Sequence, residues 1–257
     1  MERGRTGPQT CFRHGRSGDI IQTIFIIIYV AITTILVTPF GVAAFLLSLL
    51  GLRGPMSVFL YWICIGWSRL LIKIIGCRVT VTGRENIPRG GGVCFVCNHG
   101  SMFDIVLLLA YSCRICGFVA KKELIFLPFM NIWIYMLGGL FIDRKNPRKA
   151  LQTINSGIAR IRKGGAMLIF PEGHRSRGQG LLPFHPGSLK LATQSGAVIV
   201  PVAIKGSWEI FEKNYRLNVA PVSITFCKPI ATVEIPVEDR KQVLADRLYN
   251  IINEQLN

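Results

Sequence analysis

From Ile20 to Leu52 the chain runs 33 positions without a charged side chain. About 20 apolar residues cross a bilayer as helix, so this run exceeds one crossing. Pro39-Phe40-Gly41 divides it, and a helix is expected to kink or reverse there. A second uncharged run, Pro55 to Ser68, has 14 residues, too few to cross. It carries Phe59, Tyr61, Trp62 and Trp67, residue types that settle at the lipid–water boundary. Arg69 and Lys73 follow four apart, on one helical face.

Beyond about Gly76 the period changes. Short apolar runs predict strands over Arg78–Thr82, Gly92–Cys97, Gly117–Ala120, Leu140–Asp143, Ala166–Phe170, Ala197–Ile204 and Val222–Phe226. Between them, helical patterns cover Phe103–Tyr111, Glu123–Met136, Pro147–Arg162 and Leu189–Gln194, and an amphipathic helix closes the chain from Val237 to Gln255. Such alternation predicts an α/β fold, a mostly parallel central sheet flanked by helices. No internal repeat, low-complexity tract or interdomain linker interrupts it. The chain therefore reads as a basic tail (1–19), membrane-anchoring helices (20–76) and an α/β domain (77–257).

Composition sharpens the picture. Hydrophobic residues make up 50% of the chain and the mean hydropathy is +0.42, yet the formal charge is +16 with a pI near 9.9. Greasy and basic together fit a bilayer with anionic headgroups. Nucleic acid is disfavoured, because the cations are not interleaved with exposed aromatics outside the apolar region. The apolar run far exceeds the ~7–15 residues of a signal-peptide core, so a retained anchor is expected. Arg3, Arg5, Arg13 and Arg16 precede that run and the basic domain follows it. Basic flanks on both sides favour a hairpin, or a pair of helices dipping into one leaflet, with both ends cytoplasmic. The alternative is a helical layer buried against the domain.

Eight cysteines include the pairs Cys94/Cys97 and Cys113/Cys116, which form C-x2-C-x15-C-x2-C, a zinc-like spacing. Cys94 and Cys97 sit on a predicted strand, where residues three apart face opposite ways and cannot grip one ion. Buried free thiols in a reducing cytosol are expected instead.

Three predicted strands end in charge. "VCFVC" runs into Asn98-His99, "GLFI" into Asp143-Arg144, and "MLIF" into Pro171-Glu172-Gly173-His174-Arg175-Ser176-Arg177. Ligand crevices of open parallel sheets lie beyond the strands' carboxyl ends, so His99, Asp104, Arg144, Glu172 and Arg175 are expected on one rim. Each has a plainer role available. Ser101-x-x-Asp104 is a capping-box pattern, the arginines suit a solvated strand end, and Glu172 suits an ion pair shaping its turn. Capping leaves His99 unexplained. A neutral imidazole accepts a proton, and a carboxylate beside it fixes the tautomer and steadies the imidazolium. Arginine forks match phosphate.

These segments resemble the conserved blocks of the PlsC-type glycerolipid acyltransferases, the 1-acylglycerol-3-phosphate O-acyltransferases. "NHGSMFD" (98–104) is similar to the first block, "GGLFIDR" (138–144) to the second, "FPEGHRSRG" (170–178) to the third and "VIVPVAI" (198–204) to the fourth. "AKKEL" (120–124) with Pro128 matches a basic segment typical of them. The resemblance covers roughly Val79 to Ile204.

It implies that His99 is a general base and Asp104 its orienting partner. The acceptor's hydroxyl then attacks the thioester of acyl-CoA or acyl carrier protein, without an acyl-enzyme. It further implies that Arg144, Glu172, Gly173 and Arg175 bind the acceptor's phosphate, that Lys121 or Lys122 adds positive charge, and that Pro201 shapes the site. No metal or cofactor is implied. The expected location is a bacterial inner membrane, with the catalytic domain on the cytoplasmic side. The third block departs from the family where His174 stands in place of the usual threonine, which bears on headgroup preference. His185 stands where a basic residue is common, at the pocket's edge. Lysophosphatidic acid is the leading acceptor. Glycerol-3-phosphate, lysophosphatidylglycerol, an ornithine lipid, or a silent membrane adaptor are the alternatives.

Overall fold

The computed structural model describes residues 16–127 and 130–257. Arg3, Arg5, Arg13, Cys11 and Pro128 lie outside them. The first apolar run forms α1 (Arg16–Leu47), which passes through Pro39 without ending. The reversal expected at Pro39-Phe40-Gly41 comes instead at Leu50-Gly51, where Gly51 takes φ 86. Chain reversal needs a left-handed residue, and glycine adopts one at no steric cost. A proline inside an apolar helix is tolerated where side-chain hydroxyls and a neighbouring helix satisfy the local backbone. Here Thr38 Oγ1 donates to the Thr34 carbonyl, next to the Ile35 carbonyl whose helical donor Pro39 lacks.

The second run extends to a 23-residue helix, α2 (Arg53–Ile75), closed by Gly76 in the left-handed region. The expected shortness fails because Arg69 and Lys73 continue the helix rather than end it. Trp67 Nε1 donates to Thr33 Oγ1 at 3.0 Å, which pins the two helices antiparallel. Thr23–Leu52 and Gly54–Ile75 are both long and apolar enough to cross a membrane. Phe59 and Trp62 are exposed, as a boundary position requires, but Tyr61 is buried with Leu137 inside the protein.

The remaining chain builds an eight-stranded sheet of order β1-β7-β6-β2-β5-β3-β4, with β8 on β6. The strands are β1 (Arg78–Thr82), β2 (Val93–Cys97), β3 (Cys116–Lys121), β4 (Leu140–Ile142), β5 (Ala166–Ile169), β6 (Val198–Lys205), β7 (Pro221–Phe226) and β8 (Ile230–Ala231). Pairing is parallel except for β6–β7 and β6–β8. Helices α3 (Phe103–Tyr111), α4 (Met130–Met136), α5 (Pro147–Arg162), α6 (Lys190–Ser195) and α7 (Gln242–Leu256) complete the fold.

Every residue of β2 is buried. Val93, Phe95 and Cys97 join the core under α2 and α3, while Cys94 and Val96 join the core under α6 and α7. A strand covered on both faces needs a continuous apolar run, which is what its sequence holds. Cys94 and Cys97 thus lie in different layers. Burial raises the thiols of Cys94, Cys97 and Cys116, the reverse of what a thiolate ligand needs.

The helix predicted over Glu123–Met136 is divided into a 3-10 turn, Lys122–Phe126, and α4. Leu127, which precedes Pro128, is extended at φ −80, ψ 110, since the proline ring disfavours helix in the residue before it. The closing helix starts at Gln242 rather than Val237, after Lys241 leaves helical geometry.

Candidate active site

Strands β2, β4, β5 and β6 run in one direction, so the segments after them emerge on one rim. After β2, Asn98 turns the chain. Its side chain donates to the Ile204 carbonyl at 2.9 Å and accepts from the Ile204 N–H at 2.8 Å, replacing a rung of the ladder. His99 follows, and α3 opens four residues on.

His99 Nδ1 lies 2.8 Å from Asp104 Oδ2, with the two side chains 17% and 0% exposed. The same Oδ2 accepts from the Ser101 N–H at 2.8 Å, and Ser101 Oγ accepts from the Phe103 N–H. One carboxylate oxygen thus meets both the Ser101 N–H and the His99 ring. Asp104 Oδ1 is buried without a partner among the described residues. The His99 ring stacks on Phe170, centroids 3.9 Å apart, which fixes its plane from the end of β5.

Glu172 bridges two loops. It accepts from the backbone N–H of His99 and, through its other oxygen, from the Leu182 N–H at 3.0 Å. Burial pushes its carboxyl up from the usual range, against these two donors and the His99 ring, which lower it. Gly173 follows at φ 75, and Arg144 Nη1 donates to its carbonyl. The His185 ring lies beside Gly173, 3.4 Å from where a Cβ would stand. His174 is exposed. Lys122 donates to Asp143 at 2.8 Å, a bond that holds the carboxyl of Asp143 below and the ammonium of Lys122 above their usual ranges. Lys121 points outward and pairs only loosely with Glu123, 3.8 Å away. Pro201 sits inside β6 opposite Val96, where the strand changes partners from β8 to β7. The structure gives it a place in the strand's path rather than on the rim.

The acyltransferase family model matches residues 78–205. The 1-acyl-sn-glycerol-3-phosphate acyltransferase of Salmonella typhimurium is 30% identical over 223 residues, covering 86% of this chain and 88% of the relative. The chain belongs to the 1-acyl-sn-glycerol-3-phosphate acyltransferase family. Proteins of the same name from Borreliella burgdorferi and Cocos nucifera are 32% and 34% identical over 58% and 64% of this chain. The chain spans only 60% and 54% of those two proteins' lengths. In fold, the crystal structure of the 1-acyl-sn-glycerophosphate (LPA) acyltransferase PlsC from Thermotoga maritima superposes with a TM-score of 0.78. It shares 23% identity and covers 92% of this chain and 95% of its own.

One residue of the rim in this family member escapes the sequence reading. Glu212, buried in the segment after β6, accepts from Ser101 Oγ at 2.7 Å, the Met102 N–H at 2.8 Å and Arg175 Nη1 at 3.1 Å. It ties the start of α3, which carries Asp104, to the arginine turn after β5. The rule that located the other loops applies equally to the end of the predicted strand Ala197–Ile204, and that signal points to this segment. Asn98 lies inside the first block, yet its ladder-mimicking contacts leave no mark in spacing.

Proposed function

We propose that this protein transfers a fatty acyl group from acyl-CoA or acyl carrier protein to the free hydroxyl of lysophosphatidic acid, forming phosphatidic acid. The hydrogen bond between His99 Nδ1 and buried Asp104 carries the reading. With the Nδ1 proton donated to Asp104, Nε2 keeps the basic lone pair. The acceptor hydroxyl attacks the thioester carbonyl as Nε2 takes its proton. The tetrahedral adduct then collapses, the C–S bond breaks, and the imidazolium returns the proton to the departing thiolate. Asp104 steadies the imidazolium in between. No acyl-enzyme, metal or cofactor enters this scheme.

Arg144 and Arg175 grip the acceptor's phosphate with Gly173 between them, and Lys121 and Lys122 add positive potential. Glu172 and Glu212 act on this set by holding its backbone and its guanidinium. Pro201 sets the path of the strand behind it. The apolar hairpin keeps the rim at the bilayer, where the acceptor resides, on the cytoplasmic side of a bacterial inner membrane. The names of the relatives support lysophosphatidic acid over other acceptors.

A thiol-release assay on the purified full chain tests this, with acyl-CoA and separately lysophosphatidic acid, lysophosphatidylglycerol, an ornithine lipid precursor or glycerol-3-phosphate. Release is expected with lysophosphatidic acid above all. Thioester left intact while lipid binds would make the chain a silent adaptor, and preference for another acceptor would reassign the phosphate pocket.

A further inference from the structure

Beyond the hairpin, the stretch around α4 exposes a run of large apolar side chains. Phe126 is 81% exposed, and Ile125, Leu127, Met130 and Tyr135 are exposed as well. A soluble surface seldom gathers such residues without a use for them. The other side of the same stretch is fixed to the hairpin. Trp133 lies against Gly41, the Tyr135 ring meets Phe45 edge-on at 5.9 Å, and Met136 is buried with Ala44 and Leu60. The exposed residues thus continue the apolar surface of α1 and α2.

The near end of the stretch touches the rim. Lys122, at the start of the 3-10 turn, is bonded to Asp143, the neighbour of Arg144. Met102, three residues past His99, is also exposed. Apolar tips flanked by Lys121 and Lys122 suit the boundary of a bilayer with anionic headgroups, where aromatic and aliphatic side chains bury and ammonium groups stay wet. We propose that the exposed side chains of Ile125, Phe126, Leu127, Met130 and Tyr135 enter the bilayer interface as a third lipid contact beside the hairpin, seating the strand-end rim on the surface that holds its acceptor. The seating of the rim rests on the acyl-transfer reading above, whereas the lipid contact does not. Because the hairpin already retains the chain on the membrane, this contact sets orientation and depth rather than partitioning.

The test places Phe126→Trp in the full chain, reconstituted in phosphatidylethanolamine–phosphatidylglycerol vesicles, and compares its fluorescence with the parent's. The added tryptophan should be quenched by lipids brominated near the glycerol and protected from aqueous acrylamide. Quenching by acrylamide but not by bromolipid in vesicle-bound protein overturns the contact. Protection from both also overturns it, since a second copy would then cover the patch. In parallel, Phe126→Asp should raise the apparent KM for long-chain lysophosphatidic acid in vesicles about tenfold. It should leave turnover of a short-chain, monomeric lysophosphatidic acid unchanged, and an equal loss on both presentations argues against the seating. If the parent consumes no thioester with either acceptor, the acyl-transfer reading fails, while the quenching result still decides the contact.

Discussion

The rim at the strand ends and the face covered by α1, α2 and α4 are held by different forces. At the rim, His99, Ser101, Asp104, Glu172, Arg175 and Glu212 form a set of short, directed hydrogen bonds, most of them out of water. On the hairpin face, the contacts are apolar and undirected, with Trp67–Thr33 among the few polar links. Directed bonds fix atoms to fractions of an ångström, while apolar packing fixes only which surfaces meet. On the proposed mechanism a proton is passed at one place while a membrane is met anywhere along a face, and each region has the force that such a task needs.

The sharpest break falls on the base. His99→Ala should lower kcat about a thousandfold or more, with circular dichroism unchanged, since general bases contribute roughly 10²–10⁴. Asp104→Asn should cost less. Its side-chain oxygen can still accept from both His99 Nδ1 and the Ser101 N–H, and its amide can take the buried place of Oδ1, which has no partner to lose. What disappears is the charge that steadies the imidazolium, and a fall of about a hundredfold in kcat is expected. Near-parental kcat in Asp104→Asn would mean that tautomer and orientation, rather than charge, are what Asp104 supplies.

Glu212→Gln probes the link between the proposed base and the proposed phosphate grip. A hydrogen bond to a charged group contributes about 1.5–3 kcal/mol, so weakening the Arg175 contact should raise KM for lysophosphatidic acid about tenfold, with a smaller change in kcat. A loss of thermal stability with KM unmoved would reduce Glu212 to a structural strut.

Glu172 gives a pH signature. Burial raises its folded pKa, so between the ordinary carboxylate value and that raised value the native state binds more protons than the unfolded chain. The stability from the protonated form is present at low pH and declines as pH rises through that window. Melting curves from pH 4 to 8 should show this slope, and Glu172→Gln, which cannot titrate, should flatten it. An unchanged slope in the variant would assign the pH dependence to other groups.

The sequence made the rim legible because loops after parallel strands must converge, whatever their lengths. His99, Asp104, Arg144 and Glu172 follow from strand assignment alone. Glu212 stayed hidden because its partners, Ser101 and Arg175, lie 111 and 37 residues away, with no pattern to connect them. The hairpin's existence was plain from hydropathy, but the place of its turn was not. Pro39 is the stronger local signal in sequence, yet tertiary packing absorbed it, and the reversal went to Gly51, where a left-handed residue costs least. Pro201 shows a different gap: its block was legible in the sequence, but its place inside β6, opposite Val96, was not.

Two glycines carry the comparison to its smallest effect. Gly51 at the hairpin turn and Gly173 at the rim take nearly the same backbone, φ 86 and φ 75. An added Cβ meets nothing within 4 Å at Gly51, and at Gly173 comes no closer than 3.4 Å, to the His185 ring. Alanine at either position therefore carries mainly the left-handed penalty, about 1–2 kcal/mol, and the two variants should melt a few degrees below the parent by similar amounts. Function should separate them. The Gly173 carbonyl accepts from Arg144, so any relaxation of that strained residue moves the guanidinium, whereas relaxation at Gly51 moves only the end of a helical pair. Gly173→Ala should lower kcat/KM about tenfold and Gly51→Ala should leave it within about twofold, at equal loss of stability. Equal activities in the two variants would show that the rim tolerates the same looseness as the hairpin, and directed bonding would no longer distinguish the two regions.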